Sequence, residues 1–211
     1  DFPARWVLCG GWSVDAWLGG ETREQGDIDI SVFVDDAQPL YEHLAGWQLV
    51  GHDATVVGDT NELWNGRPLV LPAHLHGRNP RSGQEVPETG ILTAEQGFGV
   101  EFVFNELTDD GEWLLYFIPN DVEGFTPKPV LSVPLERCIN ESPWGLPTLV
   151  PEILLFYKAT AYKGSRNYLR RRDHLDFERL LPRLTPEQRA WLRETIALVE
   201  ADHPWLGLLS M

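Results

Sequence analysis

The chain has 211 residues, 43% of them apolar and nine of them Trp, enough to build a core for one sizeable domain or two small ones, which excludes a disordered tail. Its formal charge of −15, from 17 basic and 32 acidic side chains, argues against a general nucleic-acid binder, because neutralising phosphates supplies most of that affinity, and favours cationic partners. The charge is uneven: residues 1–157 hold 7 basic and 25 acidic side chains, a balance of −18, and residues 158–193 hold 10 basic and 4 acidic, a balance of +6. The basic segment reads either as a solvated helical face or as the part that meets an anion.

Cys9 and Cys138 are too few and too far apart for a disulfide framework or a zinc site and are expected as buried thiols. No apolar run approaches the roughly 18 to 20 residues of a membrane helix, and no targeting segment is read, so the expectation is a cytoplasmic protein with no membrane partner.

In chain order, Trp6-Val7-Leu8-Cys9 reads as a buried strand that stops at Gly10-Gly11, and Trp12 to Leu18 as a short helix ended by Gly19-Gly20. Residues 27–34 read as a second strand whose even positions, Ile28 to Val34, face inward. Asp27 and Asp29 then project together from the other face. A surface helix is expected at Pro39–Ala45 and a strand at Trp47–Val50; residues 58–97, rich in Gly, Pro and Asn, read as loops and short strands lining a cleft.

Gly99 to Asn105 alternates again, with Val100, Phe102 and Phe104 on one face and Glu101, Val103 and Asn105 on the other. Asp109-Asp110-Gly111 signals a turn, and Trp113–Ile118 is expected to return as its hairpin partner. Prolines between 127 and 147 suggest a boundary, dividing the chain into an α/β part at 1–145 and a helical part at 146–211. The helical part is expected to hold a helix from Pro151 through Tyr162, one from Arg172 to Leu181, and a last one opened by the capping box Thr185-Pro186-Glu187-Gln188.

Two carboxylates one residue apart on a strand lie roughly 7 Å apart on one face, near enough to converge on divalent metal. Asp27 and Asp29 have that spacing and follow a glycine turn that lets backbone N–H groups approach a phosphate. A two-metal phosphoryl or nucleotidyl transfer needs a third carboxylate to complete coordination and to accept the proton of the attacking hydroxyl. Glu101, alone among Val and Phe, is the best candidate, ahead of Asp53, Asp59 and Glu88; its bland alternative is an exposed edge-strand charge. Lys158 and Lys163, with one or more of Arg166 to Arg172, offer positive charge for a triphosphate, although at least two of Arg170, Arg171 and Arg172 read as a solvated run. His74-x-His76 lacks a third ligand with metal spacing, and Trp64, Trp113 and Trp144 read as packing before pocket wall.

Gly10-Gly11-Trp12-Ser13 with Asp15, Glu21-Thr22-Arg23 and Asp27-Ile28-Asp29-Ile30 resembles the signature of aminoglycoside nucleotidyltransferases of the 2″-adenylyltransferase kind, within the polymerase-beta-like nucleotidyltransferase superfamily. The likeness extends through Glu101–Glu106, Pro151-Glu152-Ile153 to Tyr157-Lys158, and Asp173–Phe177; Gln25 stands where many relatives have His. The resemblance implies an α+β fold, a small mixed sheet flanked by helices with a helical C-terminal part. It implies that Gly10, Gly11 and Ser13 hold the triphosphate, with Arg23 a further nucleotide ligand, and that Asp27 and Asp29 bind Mg2+. Glu101 would bind metal or act as base, where the family often has Asp. The implied reaction moves a nucleoside monophosphate, with ATP as the expected co-substrate, to a hydroxyl of a small cationic acceptor such as an aminoglycoside. The protein would act as a monomer or weak dimer. Two other readings stand beside it: transfer to tRNA or protein, as in toxin-type relatives, and a catalytically silent nucleotide-binding domain.

Overall fold

Strand β1 (Val7–Leu8) runs through Cys9 directly into helix α1 (Gly10–Leu18), so the two glycines form the first turn of the helix and are not a loop before it. Gly19, at φ +82°, ends the helix in the left-handed conformation that glycine adopts without a Cβ clash. The structure is a computed structural model and describes residues 2–52, 62–71, 73–80, 97–117, 128–160 and 169–210. The remaining elements of the first half are β2 (Ile28–Phe33), α2 (Ala37–His43), β3 (Gln48–His52), β4 (Glu62–Leu63), β5 (Ala73–Pro80) and β6 (Gly97–Asn105). Next come β7 (Glu112–Phe117), β8 (Lys128–Pro134), the short helix α3 (Leu135–Cys138), β9 (Ile139–Glu141) and β10 (Pro147–Leu149). Helices α4 (Pro151–Thr160), α5 (Arg171–Leu180), α6 (Pro186–Val199) and α7 (Trp205–Leu208) complete the chain.

Among the described residues the main sheet has the order β4-β3-β5-β6-β2-β1-β10-β9 and is mixed, with β2 parallel to β6 and β1 parallel to β10. This is the α+β architecture expected from the sequence. Alternation along the central strands separates two cores. Val32, Phe102 and Phe104 pack with Leu40, Leu49, Trp64 and Leu75 on one side. Phe33 packs on the other with Val7, Val14, Phe156, Phe177, Leu192 and Trp205, so the C-terminal helices close over that face. The indole of Trp17 donates to the Leu149 carbonyl at 2.8 Å, fastening α1 to β10.

Two expectations require correction. Residues 73–80, expected within a region of loops and short strands, form an eight-residue strand between β3 and β6. Its inward positions are Ala73, Leu75 and Gly77, so only one bulky apolar residue marked its period. The segment from residue 112 does not return as the partner of β6. It pairs with β8 in a separate two-stranded sheet and meets the chain just after β6 through the Leu107–Trp113 bridge and the bond from Leu114 N–H to the Glu106 carbonyl. Trp113 drives this choice: it is fully buried in the helical core, where Phe33 meets it edge-on at 5.2 Å and Asn105 accepts its N–H.

The C-terminal elements follow their sequence signals. Pro151 opens α4, and Thr185 caps α6 by accepting from Gln188 N–H while the Gln188 side chain accepts from Thr185 N–H. Both cysteines are buried thiols, as expected.

Candidate active site

The carboxylates are brought together by strand pairing. In the parallel β2/β6 pair Asp29 lies opposite Glu101, and side chains at paired positions leave the sheet on the same face. Asp27 sits just before β2, and one oxygen from each of Asp27, Asp29 and Glu101 lies within 4.8 Å of the others. Glu101 stands on an interior strand, flanked by β5 and β2, which removes the exposed edge-strand alternative.

Such an arrangement is electrostatically costly. Burial, followed by the charges of Glu101 and Asp27, pushes the Asp29 carboxyl well above the usual carboxylate range. Burial acts on Glu101 in the same sense, but the hydrogen bond and charge of His74, with help from His76, bring it below that range. An oxygen-only donor set under mutual repulsion fits a hard divalent cation such as Mg2+, whose charge would relieve both causes.

The glycine turn meets these carboxylates at contact distance. Gly10 has φ +63°, and a Cβ there would fall 1.7 Å from Asp29 Oδ2. A Cβ on Gly11 would fall 2.0 Å from Gln25 Oε1 and 2.9 Å from Arg23 Nη2. The first turn of α1 therefore packs directly against Asp29 at Gly10, with no side chain of its own between, and a helix N-terminus so placed is where backbone donors can reach a phosphate. Cys9 N–H donates to the Asp29 carbonyl at 3.0 Å and holds the turn to β2.

Asp15, fully buried, organises the loop behind the turn by accepting from Thr22 N–H at 3.0 Å, Thr22 Oγ at 2.6 Å and Gln25 Nε2 at 2.7 Å. Gln25, unexplained by the sequence, is thus the residue that ties this loop back to α1. Arg179 of α5 donates to the Thr22 hydroxyl and carbonyl at 3.1 and 3.2 Å, so the helical part also grips the loop.

A cleft of about 620 Å³ joins these groups. Gly10, Gly11, Arg23, Asp27, Asp29, Glu101 and Lys158 all line it, so seven of the nine candidates from the sequence converge. Ser13 is fully buried beneath the turn and its hydroxyl donates to the Gly10 carbonyl at 2.8 Å. Lys163 lies outside the described residues, as do Asp53, Asp59, Glu88 and Arg166. Trp64 and Trp113 are core residues, as their packing reading had it, and Trp144 is partly exposed beside Trp12.

The cationic side of the cleft is largely self-contained. Lys158 Nζ is buried between Asp173 Oδ1 at 3.1 Å and Asp176 Oδ2 at 2.8 Å. Arg23 forms a two-pronged pair with Asp176 at 3.1 and 3.3 Å, and Arg170 Nε lies 2.6 Å from Asp173. Burial alone would raise the Asp176 carboxyl, but Arg23 and Lys158 hold it below its ordinary value. Arg171 and Arg172 are exposed, in keeping with the solvated reading of that run, although Arg172 also lines the cleft.

Sequence reasoning missed the partners of these cations, and it weighed His74 only as a metal ligand. His74 Nδ1 lies 2.6 Å from Glu101 Oε1. The sequence held a signal for Asp173 and Asp176, since both fall on one side of a strongly amphipathic helix with Phe177 and Leu180.

The mixed α+β fold thus sets three carboxylates, which could hold a divalent cation, beside a helix opened by two glycines. The sequence model of the aminoglycoside-2″-adenylyltransferase family matches residues 1–55, the segment with the glycine turn, Asp27 and Asp29, in agreement with the resemblance read from the sequence. Among solved structures, the lincomycin-bound crystal structure of the lincosamide antibiotic adenylyltransferase LnuA is similar at 18% identity and a TM-score of 0.49, over 84% of this chain and 86% of that one. No curated protein sequence gives a significant match. No helix among the described residues is long and apolar enough to cross a membrane.

Proposed function

We propose that this protein is a magnesium-dependent nucleotidyltransferase that moves AMP from ATP to a hydroxyl of a small cationic acceptor of the aminoglycoside class, an antibiotic-resistance activity. The observation that carries the reading is the convergence of Asp27, Asp29 and Glu101 within 4.8 Å, beside a helix whose first turn is glycine. The family match over residues 1–55 supports it from the sequence side. In this reading residues 1–145 supply the carboxylates and the glycine turn, and residues 146–211 form the helical part that closes the cleft. The enzyme works in the cytoplasm as a monomer or weak dimer.

Asp27, Asp29 and Glu101 would hold the metal, which when bound neutralises charge on the triphosphate oxygens and on the departing pyrophosphate. The backbone donors at Gly10 and Gly11 orient the phosphates. Arg172, exposed at the cleft, extends the positive field toward the triphosphate. Lys158 and Arg23, already paired with buried aspartates, keep the wall in place. As the acceptor oxygen bonds to the α-phosphorus and the bond to pyrophosphate breaks, Glu101 takes the hydroxyl proton. The acidic body, with a balance of −18 over residues 1–157, draws a polycationic acceptor to the cleft.

Incubation with Mg2+, labelled ATP and a panel of aminoglycosides is expected to yield a drug heavier by one AMP by mass spectrometry, and chelation of the metal to stop it. Label on RNA or protein alone would replace the acceptor, and no transfer to any of the three would overturn the reading.

A further inference from the structure

The Glu101 carboxylate is held by a group that belongs neither to β2 nor to the glycine turn. β5 runs antiparallel to β6 with His76 opposite Glu101 and His74 opposite Val103, so His74 is the diagonal neighbour of Glu101 on the same face. Diagonal positions are too far apart for short side chains, but an imidazole and a glutamate together span the gap. They do so here: Nδ1 and Oε1 are 2.6 Å apart, with both side chains about one-fifth exposed at the rim of the cleft. An ionised carboxylate only accepts, so Nδ1 carries the hydrogen and donates.

Glutamate has one more torsion than aspartate, and an unsupported Glu101 would spread its oxygens over several rotamers. Its neighbours Asp29 and Asp27 repel it, which would turn a free side chain away from the cluster. The bond from His74 supplies what the cluster itself lacks, a fixed donor at one oxygen, and leaves the other for the cation or the acceptor hydroxyl. We propose that His74 is a positioning residue for Glu101, fixing the third carboxylate in the geometry that nucleotidyl transfer requires. The inference rests on the function proposed above. It gives the His74-x-His76 pair a use other than ligating metal.

Positioning predicts a pattern that contact with substrate would not give. His74→Ala and His74→Phe remove the donor and are expected to lower kcat by about 10- to 100-fold, the usual consequence of losing a partner that orients a metal-bound group, with KM for ATP and acceptor changed by less than about three-fold. His74→Asn, whose amide N–H lies near the place of Nδ1–H, is expected to recover most of the loss. A second readout needs no turnover. Binding of Mn2+ to the full-length protein, followed by the loss of the free-ion electron paramagnetic resonance signal, should weaken about ten-fold in His74→Ala and return toward the original affinity in His74→Asn. An unchanged kcat and Mn2+ affinity in both donor-free variants would overturn the proposal. So would an equal loss in His74→Asn, or a change confined to KM, which would make His74 a substrate contact. If the unaltered protein transfers nucleotide to nothing, the parent reading fails, and the Mn2+ measurement still decides whether His74 orients Glu101.

Discussion

The two ends of the cleft bury charge in opposite ways. At one end Asp27, Asp29 and Glu101 crowd together, with the His74 hydrogen bond on Glu101 as local support. At the other, Asp173 and Asp176 are buried more deeply than the trio but sit among Lys158, Arg170, Arg23 and Arg179, the last at 3.9 Å from Asp176. The second arrangement is a structural solution, since buried charges persist when each is paired and hydrogen-bonded. The first is unfavourable for the protein alone, and the proposed metal would relieve it. Repulsion kept in one place and compensated a few residues away separates groups that act on a ligand from groups that hold the wall.

The sharpest way to break this contrast is Asp29→Asn. It removes one like charge while keeping the shape, and it is expected to reduce transfer on the order of 10³-fold. Because repulsion is relieved, the melting temperature should rise by about 2 to 4 °C, the shift that about 1 kcal/mol gives in a chain of this size. Scanning calorimetry on the metal-free protein at about pH 8, above the raised Asp29 value of about 7 so that the like charge is present, checks it, and a fall in melting temperature would contradict the stored repulsion.

At the paired end the sign reverses. Asp176→Ala leaves Lys158 and Arg23 short of partners and should cost about 3 to 5 kcal/mol in urea unfolding. The pH dependence follows from the same pairing. The Asp176 carboxyl is lowered in the folded state, so below the unfolded carboxylate range of about 4 the unfolded chain binds more protons. Its stabilisation is therefore complete above that range and is lost as pH falls through the folded value; in Asp176→Asn the acid limb of stability against pH should flatten.

Gly10→Ala probes the boundary between turn and trio. Alanine at φ +63° costs about 1 to 2 kcal/mol and also drives a methyl into Asp29, so activity should fall together with stability. Thr185→Ala, remote from both ends, should cost about 1 kcal/mol through loss of the α6 cap and leave kcat unchanged.

How much of this was legible in the sequence depended on distance along the chain. The glycine turn, the Asp27-x-Asp29 spacing and the Thr185 capping box are written within a few residues and could be read. Glu101 was legible because a charge on an otherwise apolar alternating strand stands out. What required chain reversal was not legible. His74 meets Glu101 through β5, a strand whose inward face offers Ala73, Leu75 and Gly77 and so carries almost no period. Lys158 was read as pointing to an anion because its stem follows an apolar stripe, whereas the folded chain aims the same stem at two aspartates on the next helix. The basic balance of residues 158–193 correspondingly mixes internal pairing by Lys158, Arg170 and Arg179 with exposed charge at Arg171 and Arg172.

The pairing of Asp29 with Glu101 makes the sheet a measuring device. Slipping β6 by one residue against β2 would swing Glu101 to the opposite face, among the apolar residues there. What prevents it is the fit of Phe102 against Leu75, neither of which lines the cleft. The ruler's zero is therefore set on the far side of the sheet. Sequence drift there is limited by calibration as well as by stability, and a variant that melts normally can still be out of gauge.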